Sequence, residues 1–444
     1  MSLHDPALQS TLAKDKEFLE KTKLPIVTVS ASFREDIKGF HGFKEDESIP
    51  DVVFSRAHYS MAVGIAVQAW GVKEGAFESG IKPEKAWIAD PTNYVSHSDW
   101  KRIEFTEYVG QTLARNNFLK KLKDFIDQFA RSKLPILKSI TPPLIDITAS
   151  IERPILSLHI AAGNILASHG KKVVQVITDP HVRAEYLDHA DKPNMSFCVF
   201  DQNTKTEFLE KAAIHNKKVD SNRVIVTGPP VDPRIVAARK KKTAWRSGPL
   251  NLCITTGGLG TNKEEIKEIL QQLIPELKKP TCPYRLLIYA GTQEDICEMV
   301  RDLTKPHRIP IHPPEDEKAK LRLLYHPQIV DANELLIKYG FPWADGFITK
   351  PSGDMAYDAA AAGCFILTLK EWGVWEHNIR EVFEQREISR PAQTQHIIDQ
   401  LQYLTKARKQ SNSWVERAMN HAFKIEPLFL KGAQHIIEVV EALH

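Results

Sequence analysis

The sequence predicts an α/β protein made of two doubly wound domains. Three observations carry that expectation. Short β-branched apolar runs alternate with helix-length segments along most of the chain. The alternation breaks once, in the polar and basic stretch "AARKKKTAWRSG" (237–248), and then restarts. The turns richest in Gly, His and Asp follow the apolar runs directly, at the C-terminal ends of expected strands, where open α/β sheets bind ligands. The length of 444 residues agrees, because it exceeds what a single core ordinarily serves.

Each element follows in order. Residues 7–22 read as a short polar helix, and "LPIVTVSAS" (24–32) as a strand. "PDVVFSRAHYSMAVGIAVQAWG" (50–71) reads as strand, turn and apolar helix, and 100–133 as a long amphipathic helical region rich in Lys and Arg. "RPILSLHIAAGNILASHGKKVVQVITDPH" gives strand, turn, helix, strand; "MSFCVFDQ" (195–202) a buried strand with a helix after it; "RVIVTGPPVDPRI" (223–235) a strand ending in a proline-rich break. Beyond the linker, "LNLCITTGGLGTNKEEIKEILQQL" is strand, glycine loop, helix, and "YRLLIYAGTQEDICEMVRDL" is strand, turn, helix. "LRLLYHP" is a strand, "NELLIKYG" a helix, and "ADGFITKPSGDMAYDAAAAGCFILTL" strand, turn, helix, strand. The expected division is 1–236 for a first domain, 249–395 for a second and 396–444 for C-terminal helices, with the ligand site in a cleft between the two domains.

Composition narrows the function classes. Hydrophobic residues make up 42% and charged residues 26%, an ordinary globular balance. A net charge of +3 without an aromatic-rich basic stripe argues against nucleic acid as a partner. Five scattered cysteines with no CxxC pair read as reduced core thiols in a cytoplasmic protein. The charged N-terminus is no signal peptide, and no apolar run reaches the roughly 18 residues that a membrane span needs. Any membrane contact would be peripheral. The basic stretch in 100–133 has the charge to rest on an anionic membrane, and a solvated helix face accounts for the same pattern.

Chemistry concentrates in a few turns. Gly257, Gly258 and Gly260, between a strand and a helix, let the backbone approach an anion at a helix N-terminus. No Gly-Lys-Ser/Thr follows, so this is not a Walker loop, and the next strand ends at Gly291 and Thr292 with no acid, which disfavours NAD. In "TKPSGDMAYDAAAAGC" (349–364), Gly353 can supply the conformation that exposes backbone N–H groups at the start of a helix. Asp354 and Asp358 stand four apart on one helix face, where a carboxylate can hold a ribose diol or simply favour the macrodipole. The alanines let the helix lie close on the sheet, and Gly363 ends it. Glu376, His377 and Asn378, after a strand end, suggest recognition of sugar hydroxyls. In the first half, His58, His159, and Asp179 with His181 follow expected strands, and His is the natural general base at neutral pH. The His and Asp residues do not repeat at metal-ligand spacing, so no metal and no other cofactor is expected. No G-x-S-x-G elbow is present.

From about 150 to 390, the order of these motifs resembles the GT-B glycosyltransferases, most closely the monogalactosyldiacylglycerol synthase type and more distantly the N-acetylglucosaminyltransferase of the lipid-linked peptidoglycan precursor. "CITTGGLGTN", with Asn262, is similar to that family's donor-phosphate loop, and "LLIYAGTQEDI", with Gly291, to the turn that meets the base. "ADGFITKPSGDMAYDAAAAGCFILTL" resembles its donor motif, with Asp358 where the family usually has Glu. "EWGVWEHNIREVFEQREI" resembles its Gln-Glu-x-x-Asn segment, with Trp375 at the Gln and Asn378 one position early.

The resemblance implies two Rossmann-like domains facing a cleft. It implies a UDP-sugar co-substrate whose diphosphate lies on Gly257, Gly258 and Gly260, with Ser352, Gly353 and Asp354 at phosphate or ribose, Asp358 at ribose, and Glu376 and Asn378 at the sugar. It implies inverting, metal-independent transfer of a hexose to a hydroxyl acceptor, a lipid among the candidates, at the inner face of a membrane or in the cytoplasm. His58 is the implied base, with His41 in "GFHGF" as its competitor and His159, Asp179 and His181 on the acceptor side. The family's first loop is glycine-rich, whereas this one reads Ser55-Arg56-Ala57-His58. A UDP-sugar epimerase on the same fold and a non-catalytic nucleotide-sugar-binding relative are the rival expectations.

Overall fold

The computed structural model describes residues 6–33, 50–75, 80–95, 135–407 and 412–444; His41 and the basic stretch 100–133 lie outside them. The chain forms two compact units. The first runs to Pro233 and takes back Leu430–His444; the second is Arg234–Phe429. This differs from the expected division, in which all of 396–444 stood apart.

The first unit is built on a parallel six-stranded sheet. Its strands are β1 (Leu24–Val27), β4 (Ala86–Ala89), β5 (Ile155–Ser157), β6 (Val173–Val176), β7 (Met195–Val199) and β8 (Val224–Val226), in the order β4-β1-β5-β6-β7-β8. The run 24–32 does not continue as one strand. After Val27 the chain leaves the sheet, and β2 (Ala31–Ser32) pairs antiparallel with β3 (Val52–Val53). The cause is Asp90, at the end of β4. Its buried carboxylate accepts from the Ser30 N–H at 2.6 Å, the Ala31 N–H at 3.1 Å and the Ser30 hydroxyl at 3.0 Å. Backbone donors that a longer strand would spend on the ladder go to a side chain instead. The edge strand β4 itself, the four-residue "AWIA", has no sequence signature of its own.

Two helices of this unit meet one proline-rich segment. A Cβ on Gly64, in the buried helix Arg56–Trp70, would lie 2.9 Å from the Pro230 carbonyl oxygen. One on Gly432, at the start of the helix Gly432–Ala442, would lie 2.1 Å from that of Pro229. Glycine is required at both, because backbone occupies the space. His435 Nδ1 also lies 2.9 Å from the Thr227 carbonyl oxygen. The last helix is therefore part of this unit.

The second unit repeats the plan. Its strands β9 (Leu250–Thr255), β10 (Tyr284–Gly291), β11 (Leu321–Tyr325), β12 (Gly346–Thr349), β13 (Phe365–Thr368) and β14 (Ser389–Pro391) run parallel in the order β11-β10-β9-β12-β13-β14. Its core joins Leu252, Ile254, Leu286, Ile288 and Leu367 from the strands to Ile269, Leu270 and Leu273 from the helix Lys263–Glu276 and to Val415 and Met419 from a later helix. The alanine run does what its small side chains suggest: Ala356, Ala359, Ala360, Ala361 and Ala362 are all fully buried, and Gly363, at φ +77°, closes the turn. All five cysteines are buried and none forms a disulfide. No helix among the described residues is long and apolar enough to cross a membrane.

Candidate functional site

In the second unit the strand order reverses between β9 and β12: the chain builds β9, β10 and β11 outward on one side, then returns to place β12 on the other. In open α/β sheets the loops beyond such a switch point diverge and leave a crevice. The two strand ends are tied together by the Thr255 and Thr349 hydroxyls, 2.6 Å apart. Beyond β9 comes the glycine loop, with Gly260 at φ +66° and Asn262 at φ +64°. Beyond β12 comes Lys350-Pro351-Ser352-Gly353, and beyond β13 the segment Lys370–Gly373. The motifs singled out in the sequence thus meet at one end of one sheet.

Side chains hold these loops in place. Gln293 donates to the Gly258 carbonyl at 3.0 Å. Asn262 donates to Glu265 at 2.5 Å and to the Lys370 carbonyl at 3.1 Å, and Glu265 accepts from the Lys370 N–H at 3.2 Å. Asn262 therefore joins the glycine loop to the segment after β13. Gly291 ends β10 at φ +60°, beside a register shift against β11.

In the Ser352–Asp358 turn Gly353 has no positive φ. Ser352 makes the turn: its hydroxyl accepts from the Met355 N–H at 3.3 Å and donates to Asp354 at 2.6 Å. Asp354 and Asp358 are both buried at the start of the helix Met355–Ala361.

Glu376 and Asn378 share one helix but not one face. Two positions apart on the helix Val374–Gln385, they point to different sides. Glu376 is 1% exposed and both of its oxygens are engaged within the chain. One lies 2.5 Å from the Lys350 ammonium and the other accepts from the Trp372 N–H at 2.6 Å. Lys350 is the residue that sequence reasoning passed over, although its place directly after an apolar strand and before Pro-Ser-Gly was visible.

The first unit has its own polar cluster. His58 lies in the first turn of the helix Arg56–Trp70, where Ser55 caps the helix end by accepting from the His58 N–H at 3.4 Å. His58 Nε2 is 3.1 Å from the hydroxyl of Thr178, which follows β6, and its ring packs edge-on against His159, centroids 5.0 Å apart. His159 Nδ1 accepts from the Ala161 N–H at 3.2 Å, so a neutral His159 carries its proton on Nε2. Thr178 also bonds the phenol of buried Tyr186, whose pKa burial raises. Asp179 and His181 are engaged elsewhere. Asp179 lies 3.4 Å from Arg183 and His181 3.2 Å from Glu207. Burial works to raise the Glu207 pKa, but the hydrogen bonds from His181 and Lys211 outweigh it and hold the carboxyl at about 2. The structure thus joins His58 with His159 and leaves Asp179 beside Arg183 and His181 beside Glu207. Thr178, an unremarkable residue in sequence, is what links His58 to the sheet. Among the described residues no group of three or more His, Cys, Asp or Glu could hold a metal ion.

No family model matches the sequence, and no curated protein matches it. Solved structures match across nearly the whole chain. UDP-GlcNAc 2-epimerase from Neisseria meningitidis, bound to UDP-GlcNAc, is 13% identical, with 94% of this chain and 99% of that one covered at a TM-score of 0.51. Medicago truncatula UGT71G1, complexed with UDP-glucose, is 8% identical, with 96% and 99% covered at a TM-score of 0.50. The fold they share with this chain is GT-B.

Proposed function

We propose that this GT-B chain is a UDP-sugar-using enzyme, and that it transfers a hexose from the nucleotide to a hydroxyl acceptor with inversion and without a metal. The observation that carries the reading is the switch point of the second unit's sheet, beyond which the glycine loop, the Ser352–Asp358 turn and the segment after β13 follow neighbouring strands. In this reading the diphosphate lies on Gly257–Gly260 near the N-terminus of the helix Lys263–Glu276, where backbone N–H groups favour negative charge. Asp358 takes the ribose, and Asn378 meets the sugar. The acceptor oxygen forms a bond to the anomeric carbon while the bond to the β-phosphate oxygen breaks. UDP leaves with the electron pair, and the acceptor proton passes to a base, for which His58 is the candidate. A single displacement of this kind inverts the anomeric centre. For the acceptor, a lipid hydroxyl is the first class to test, on the basic sequence of 100–133.

The two matched structures come from an epimerase and from a protein holding UDP-glucose, and at such low identity their likeness speaks for fold alone. An epimerase would use the same donor site with no acceptor. The two readings separate in one experiment. The protein is incubated with UDP-glucose and UDP-GlcNAc, with and without glycolipid and sugar acceptors, and products are followed by NMR. Transferase activity releases UDP only when acceptor is present and gives a product of inverted anomeric configuration. A new UDP-sugar epimer formed without acceptor favours the epimerase. Failure of UDP to bind in calorimetry, with ADP and GDP as controls, removes the reading altogether. On the transferase reading, H58A lowers kcat by about a hundredfold or more and leaves UDP affinity unchanged.

A further inference from the structure

Gly257 lies beside Thr261 and Lys350. A Cβ at this position would lie 2.5 Å from the Thr261 hydroxyl and 3.6 Å from Lys350 Cδ. Thr261 is 3% exposed, and its Oγ1 has no hydrogen-bond partner among the described residues. A buried hydroxyl with nothing to bond is costly, and such groups in folded proteins are usually satisfied by something. The Lys350 side chain is 16% exposed. Its ammonium carries three N–H donors. Among the described residues one of them meets Glu376, 2.5 Å away, and the Trp372 ring face lies 5.9 Å off.

The stem of a cation with unused donors and a buried hydroxyl with no partner among the described residues therefore both lie close to Gly257, at the switch point of the sheet. Both groups suit an anion that offers several acceptor oxygens at close range, and a side chain at Gly257 would press on the Thr261 hydroxyl. Glu376 suits a different task from binding. Fixed by the Trp372 N–H and sealed from solvent, it holds the ammonium in one place.

We propose that Lys350 and Thr261 bind the phosphate oxygens of the donor's diphosphate, and that Glu376 is a positioning residue for Lys350 rather than a sugar ligand. The inference rests on the nucleotide-sugar reading and adds to it the cation that receives the charge of the departing diphosphate.

The test is calorimetry on the full chain with UDP, uridine and inorganic pyrophosphate. For the wild type, UDP is expected to bind at least tenfold more tightly than uridine. K350M should abolish most of that ratio while uridine affinity stays within twofold, and T261V should lower it about threefold. Because K350M leaves Glu376 buried without its partner, the double variant K350M/E376L, which removes both charges together, is measured alongside and should show the same loss. An unchanged UDP-to-uridine ratio in either Lys350 variant overturns the proposal, since a merely structural ion pair would not affect it selectively. Should the wild type bind pyrophosphate but neither UDP nor uridine, the nucleotide reading fails. The anion assignment then stands only if K350M loses pyrophosphate too. Binding of none of the three probes overturns both.

Discussion

Single residues here answer to their surroundings more than to their type. Asp345, just before β12, accepts from the Asn251 N–H at 2.9 Å, and burial pushes its carboxyl up to about 6 from the ordinary 3.8. A group whose folded pKa lies above its unfolded value favours the fold most when protonated. Its contribution is complete below about pH 3.8 and is lost as pH rises through about 6. The shift of about two units corresponds to at most about 3 kcal/mol. D345N keeps an oxygen for the Asn251 N–H and removes the charge. It should raise stability over wild type by roughly 1–3 kcal/mol at pH 8, with the gain vanishing near pH 4, as read from urea unfolding at both values. The same dependence on surroundings explains what was legible in the sequence. The glycine loop and the Asp354–Asp358 spacing carry recognisable patterns. Lys350 and Thr178 do not, because one Lys and one Thr in turns look like any others until the sheet sets Glu376 and His58 beside them.

Elements were legible where periodicity alone decides them and obscure where a distant residue intervenes. The strands β6, β7, β9, β10, β12 and β13 stand where the apolar runs predicted them. The run 24–32 reads as one strand and divides in the structure because the carboxylate beyond the end of β1 comes from Asp90, some sixty residues away in sequence. The C-terminal helices were grouped together because amphipathic spacing does not say which sheet a helix will cover. The placement of Gly432–Ala442 in the first unit is testable. Ile436 is fully buried there, so I436A should cost about 2–5 kcal/mol and speed hydrogen exchange across the helix Arg56–Trp70, which it packs against. G432A, which drives a methyl group into the Pro229 carbonyl, should cost at least as much. If exchange rose instead across β9–β13, the helix would belong elsewhere.

At the scale of the whole molecule, the two units share a plan but differ in their chemistry. Each has a parallel six-stranded sheet whose order reverses once, and each gathers polar side chains beyond its strands. The second gathers glycines, a lysine and carboxylates, a set suited to a nucleotide; the first gathers histidines and a threonine, a set suited to moving a proton. Hydrogen exchange with and without UDP separates these roles. Protection should concentrate in 255–262, 349–358 and 370–376 and leave the Asp90-bound turn at 28–32 unchanged. Protection centred on the first unit would reverse the assignment of donor and acceptor sides.

The return of the last helix to the first unit also affects how the chain is made. Translation completes residues 234–429 before it reaches Gly432, so the second unit has its entire sequence while the first still lacks its closing helix. Until then the apolar helix Arg56–Trp70 and the proline-rich segment must wait on the ribosome with one side uncovered. Loss of the helix Gly432–Ala442 would therefore damage the part of the protein synthesised first.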